Sequence, residues 1–114
     1  MSWSVSYLPE ADTDLEKLDN SQRIMVLKAI AKVSSNPQAK QEGGYGTPLG
    51  NRKIARLSGL YKIKLKKSGL RIVYKLICIN RQMIIIIIGA RADNEVYIDA
   101  EDRMRGHWLH GDVE

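Results

Sequence analysis

Aspartate and glutamate are missing from the stretch between Gly43 and Ala92, which holds eleven of the eighteen lysines and arginines. All thirteen acids lie outside it, six from Glu10 to Glu42 and seven from Asp93 to Glu114, so the net charge of +5 understates the local asymmetry. A one-sign field over nearly half the chain attracts polyanions, and that attraction weakens with salt. Cysteine is almost absent. Cys78 stands alone, which excludes a disulfide within the chain, and its neighbours Leu76, Ile77 and Ile79 favour a buried, inert thiol over a nucleophile. Long apolar runs are absent too, since Met83 to Ile88 is far short of the roughly 20 residues that span a bilayer. Residues 1–20 alternate polar and apolar and end acidic, without the continuous apolar stretch of a signal peptide. A cytoplasmic protein with no membrane partner is the expectation. There is no internal repeat, and 114 residues that are 44% hydrophobic and 27% charged suit one domain over residues 1–114 with one modest core.

The elements follow from periodicity. Ser2 to Leu8 alternates as a short strand does, and Pro9 with Glu10, Asp12 and Asp14 suits the first turn of a helix reaching about Leu18. Asp19, Asn20 and Ser21 can cap a second helix whose apolar face is expected to carry Ile24, Leu27, Ile30 and Ala31 as far as Val33. Asn36 and Pro37 stop it. The glycine-rich stretch from Gln38 to Ser58 then reads as a long loop. From Leu60 the period becomes two: strands Leu60 to Lys66 and Leu70 to Cys78 flank a tight turn at Ser68 and Gly69, and Gln82 to Gly89 follows after Ile79, Asn80 and Arg81. Five consecutive isoleucines, Ile84 to Ile88, indicate a strand covered on both faces and therefore central. The expected fold is α+β: an N-terminal strand and a helical hairpin packed on one face of a small, twisted, mainly antiparallel sheet. Residues after about 100 form a tail or short helix.

Strand parity carries the functional reading, because side chains at i and i+2 share a face. Lys62, Lys64 and Lys66 point one way and Ile63 and Leu65 the other; Arg71, Val73 and Lys75 lie opposite the apolar set Ile72, Tyr74, Leu76 and Cys78. A solvated face that carries lysines only to block edge pairing would have the same pattern. The chemical alternative is an anion site. Lys62 and Lys64, roughly 7 Å apart along a strand, each raise the other's cost of carrying charge, which makes one amine a candidate proton acceptor. Beside them Arg71 can hold a phosphate through two hydrogen bonds, so the set suits a phosphorane-like transition state. RNA brings its own nucleophile, the 2′-OH, and Tyr97 could stack on a base or orient that hydroxyl. His107 and His110, three apart with no cysteine beside them, read as surface residues rather than a metal site. Trp108 and Leu109 read as a packed pair. Asp93 and Glu95 would allow a paired-carboxylate hydrolase, but the acid-free strands argue against it.

Tyr61-Lys62-Ile63-Lys64-Leu65, then Ser68-Gly69-Leu70-Arg71-Ile72-Val73-Tyr74, then Gly89-Ala90-Arg91 and Glu95-Val96-Tyr97 resemble, in order and spacing, the core of the RelE-type messenger-RNA interferases of bacterial toxin–antitoxin systems, within the RelE/ParE superfamily. The resemblance is close over about a third of the chain, and looser in the N-terminal strand and helices. It implies a RelE-like fold and a catalytic set of Lys62, Lys64, Arg71, Arg91 and Tyr97, with no cofactor and no metal. It implies a ribosome-dependent endoribonuclease that cleaves messenger RNA in the ribosomal A site and a cognate antitoxin as partner. Arg52, Lys53, Arg56, Lys66, Lys67, Lys75 and Arg81 would then bind ribosomal RNA. The alternative is a noncatalytic protein, either a ParE-like DNA gyrase poison or a basic nucleic-acid-binding module. ParE-like members generally lack the full catalytic set.

Overall fold

The computed structural model describes residues 3–48, 60–90, 100, 102 and 103. Strand β1 (Ser4–Tyr7) leads into helices α1 (Pro9–Glu16) and α2 (Asn20–Val33) and a two-residue strand β2 (Thr47–Pro48). The basic half supplies strands β3 (Leu60–Leu65), β4 (Leu70–Ile77) and β5 (Gln82–Gly89). They assemble into one five-stranded sheet in the order β1-β5-β4-β3-β2. The expected antiparallel meander is present as β3-β4-β5, and β1 joins in parallel on the far side of β5, placing the isoleucine strand between two neighbours.

Local chemistry fixes the helix ends. Pro9 begins α1, where a missing N–H costs nothing, and Glu10 and Asp12 sit in its first turn, favoured by the helix dipole. α2 opens on a reciprocal cap: Gln22 N donates to Asp19 Oδ1 at 2.8 Å, and Asp19 N donates to Gln22 Oε1 at 3.4 Å. The Arg23 guanidinium, on α2, donates to the carbonyls of Leu15, Glu16 and Leu18 at 3.0–3.3 Å and so ties the end of α1 to the start of α2. The buried face of α2 differs in part from expectation. Ile30 and Val33 point into the core as expected, joined by Val26, while Ile24, Leu27 and Ala31 are exposed. The apolar residues of α2 form two adjoining stripes, and the sheet covers only the one centred between Val26 and Ile30.

The isoleucine run contains a β-bulge. Tyr74 pairs with Ile85 and Val73 with Ile87, which leaves Ile86 without a partner on β4. The extra residue reverses the alternation, turning the Ile86 carbonyl and Ile88 N–H toward the outer edge of β5, beyond the end of β1. Asp14 and Arg103 satisfy them. Arg103 donates to Ile86 O and to Asp14 Oδ2, both at 2.8 Å, and Asp14 Oδ2 accepts from Ile88 N at 3.1 Å. Met83 to Ile88 are all buried, and so are Val73 and Leu60 on the face that carries the lysines. Cover is therefore not confined to the helical side. Ala100, helical like Arg103, is also fully buried.

The expected long loop is partly structured. Lys40–Glu42 forms one tight helical turn, Ala39 bridges to Gly46, and Thr47–Pro48 pairs with Lys62 and Tyr61 of β3. Residues 49–58 of that loop lie outside the described residues. The anchor is Tyr74, fully buried, whose hydroxyl donates to Pro37 O at 2.6 Å and packs against Gly46. Burial, with a smaller contribution from Tyr61, pushes the Tyr74 phenol well above the ordinary tyrosine value of 10.0. Below pH 10 the phenol is neutral in both folded and unfolded chains, and above it the unfolded chain ionises first. Stability is therefore expected to fall as pH rises past about 10, in urea titrations followed by circular dichroism. Tyr74→Phe should flatten that fall while lowering stability at neutral pH by about 1 kcal/mol, the value of a typical hydrogen bond. An unchanged alkaline slope in the variant would show that another group causes it. Among the described residues, no helix is long and apolar enough to cross a membrane.

Candidate active site

The β3-β4 register decides which basic side chains meet. Lys64 stands directly opposite Arg71, and Lys62 opposite Val73, so Lys62, Lys64 and Arg71 share one face as parity requires. Directly paired residues in such a ladder have Cβ atoms about 5 Å apart. Arg71 pairs in turn with Gly89, and the row Lys64-Arg71-Gly89 crosses three strands, about 10 Å in all. Lys64 is exposed, whereas Lys62 and Arg71 are half-buried beside the fully buried Val73. Two like charges held opposite each other reduce sheet stability.

Three features hold the row in place. Four residues, Lys66 to Gly69, link β3 to β4; Gly69 takes a φ of 73° and its N–H donates to Leu65 O at 2.9 Å. That left-handed conformation explains the glycine at this turn. On the opposite face Tyr61 stacks on Tyr74 with ring centroids 5.6 Å apart, which locks the β3-β4 register under the lysines. At the third strand the Asp14–Arg103 pair holds the outer edge of β5 and hence the segment that places Gly89 beside Arg71. Both partners are largely buried, at 15% and 18% side-chain exposure, so solvent screens this pair little.

The other sequence-derived residues divide. Lys66 and Lys67 are exposed in the β3-β4 turn, next to Lys64 in sequence. Lys75 lies on the same face as Arg71 but four residues further along β4, opposite Leu60, roughly 13 Å away. Arg81 sits exposed in the β4-β5 turn at the other end of the sheet with a φ of 52°, so the fold separates it from the Lys64-Arg71 row. Arg52, Lys53, Arg56, Arg91 and Tyr97 lie outside the described residues, as do Asp93, Glu95 and residues 107–110 and the side chain of Cys78. Among the described residues, no group of three or more His, Cys, Asp and Glu is placed to hold a metal ion. Reading the sequence missed Asp14 and Arg103. They are 89 positions apart, and no local pattern links them.

No protein-family model matches the chain. Over 105 residues, 92% of the chain and 100% of the relative, it is 29% identical to a RelE-like toxin protein of Escherichia coli. It is 27% identical to the mRNA interferase toxin RelE of Escherichia coli strain K12, covering 91% of the chain and 99% of that protein. The fold matches a solved mutant of E. coli toxin RelE in the free state with a TM-score of 0.72 and 26% identity, over 91% of the chain and 99% of that structure. The same mutant in complex with a peptide of the antitoxin RelB matches with a TM-score of 0.65 and 26% identity, over 88% and 95%.

Proposed function

We propose, from the premise that the chain is RelE-type in both sequence and fold, that it is the toxin of a toxin–antitoxin pair and acts as a ribosome-dependent endoribonuclease on messenger RNA. The observation that carries this reading is the direct pairing of Lys64 with Arg71, Lys62 beside them, on a face built from an acid-free segment. Two cations held that close are stabilised by a phosphodiester between them, and their repulsion is relieved most as the phosphate gains charge in the transition state.

Lys64 takes the proton of the 2′-OH, whose oxygen attacks the adjacent phosphorus. The bond from phosphorus to the 5′-oxygen breaks, leaving a cyclic phosphate and a 5′-OH. Lys62 and Arg71 neutralise the equatorial charge. Arg91 protonates or stabilises the leaving 5′-oxygen, and Tyr97 orients the base or the nucleophile. Proton transfer and charge neutralisation draw on lysine and arginine, with no metal. Lys66 and Lys67, beside the row, contact ribosomal RNA in the A site, together with Arg52, Lys53 and Arg56. Lys75 and Arg81, at a distance from the row, add to the general field, and losing one should lower the salt slope of binding by about one unit. The partner that restrains the toxin is a cognate antitoxin, and the basic face would suit an acidic or amphipathic segment. Residues 1–114 act as one domain in this reading.

Primer extension on a defined message in a reconstituted translation system tests it. Cuts within the A-site codon are expected with the wild-type chain, and they should vanish with Arg91→Ala or when ribosomes are omitted. An uncut message would overturn the interferase reading and favour gyrase poisoning, to be read in a DNA-cleavage assay.

A further inference from the structure

Gly89 ends β5 as the third member of the row that carries Lys64 and Arg71. Glycine is unfavourable in a strand, since it has no side chain to pack and loses more backbone freedom on folding than any other residue. It is retained where the backbone needs a left-handed φ, where a Cβ would collide, at a bulge, or where something outside the chain must come close to the backbone. Among the described residues the first three reasons fail. Among the described glycines only Gly43 and Gly69 have positive φ. A Cβ built on Gly89 meets nothing within 4 Å among the described residues, whereas one on Gly46 would lie 2.1 Å from the Tyr74 hydroxyl. The bulge is at Ile86, and by Ile87 and Gly89 the strand is back in register with Val73 and Arg71.

Close approach is what remains. We propose that the backbone of Gly89 is the floor of the phosphate seat: the space above it, beside the Arg71 side chain, receives a phosphodiester of the RNA strand. This rests on reading the basic row as the RNA-cleaving site. A methyl group there would lift the phosphate by more than 1 Å from Arg71 and Lys64, and a displacement of that size costs on the order of 100-fold in rate. The seat explains a glycine that no backbone angle and no packing contact among the described residues requires.

The test uses Gly89→Ala and Gly89→Val in the full chain. Three quantities are read: melting temperature, single-turnover cleavage on programmed ribosomes, and affinity for a short 2′-O-methyl RNA oligonucleotide, which carries phosphates but no 2′ nucleophile. The melting temperature is expected to stay unchanged or rise by roughly 2–4 °C. Cleavage should fall on the order of 100-fold for alanine and further for valine. Oligonucleotide affinity should fall at least about 10-fold with an unaltered salt slope, because no charge has been removed. A Gly89→Val chain that cuts and binds as the wild type does would overturn the proposal and leave the interferase reading intact. A wild-type chain that binds the oligonucleotide without cutting any message, with binding lost in Gly89→Val, would uphold the seat and overturn the cleavage reading. Activity lost in step with a lower melting temperature would make Gly89 a packing residue and overturn the seat.

Discussion

Lys64→Gln is expected to slow message cleavage on programmed ribosomes by about 10²–10⁴-fold, the range of a lost general base, while making the folded chain more stable. Both effects come from one side chain. Lys64 is held directly opposite Arg71, and removing one of two like charges at such a pair returns about 0.2–1 kcal/mol to the sheet. Lys64 is exposed, so glutamine leaves no cavity. Urea denaturation and single-turnover cleavage on the same preparation check the two halves together. Loss of both activity and stability would mean that Lys64 holds β3 in place. Lys64→Arg separates charge from proton transfer: it keeps the cation but cannot accept a proton near neutral pH. If Lys64→Arg keeps the wild-type rate and pH profile, the base is another residue.

The second large effect is on folding. Gly46→Ala is expected to destabilise the chain by about 1–3 kcal/mol, a drop in melting temperature on the order of 5–20 °C. The added Cβ would lie 2.1 Å from the Tyr74 hydroxyl and 2.7 Å from Pro37 O, which are themselves joined by a 2.6 Å hydrogen bond. Neither can yield easily, since Tyr74 is fully buried and Pro37 O is backbone. Part of the penalty should disappear in the Tyr74→Phe background, where the nearer obstacle is gone, and calorimetry of the four proteins in the cycle measures that coupling. Strict additivity would show that the hydroxyl is not the obstacle. The loop ends in β2, which pairs Thr47 with Lys62, so Gly46→Ala should also reduce cleavage in the fraction that remains folded.

Much of the fold was legible because it rests on short-range rules. Proline and acids mark the start of α1, and Asp19 with Gln22 forms the cap of α2. A period of two places Lys62, Lys64 and Arg71 on one face, and five isoleucines mark the strand that ends up between β1 and β4. The apolar face of α2 was misassigned only in part, because Ile24 and Leu27 have helical spacing as regular as that of Val26, Ile30 and Val33. Periodicity identifies an apolar stripe and not what will cover it. The candidate site was legible as residue types and parity, and its separation from Arg81 was not, because both carry the same charge in the same acid-free segment.

The sequence by itself determined the one-sign charge of the middle segment, the order of elements, and which alternate residues of each strand travel together. These follow from local sterics and from charge, which depend on near neighbours or on composition. Only the tertiary structure decided that Lys64 faces Arg71 and that Gly89 lies next to them, because a register is a relation between strands. It also decided that a bulge at Ile86 turns the edge of β5 outward, where Asp14 and Arg103 close on it from 89 positions apart, and that Tyr74 reaches 37 residues back to Pro37. Such contacts form only when the core has brought distant segments within hydrogen-bond reach, and no window of local sequence contains both partners.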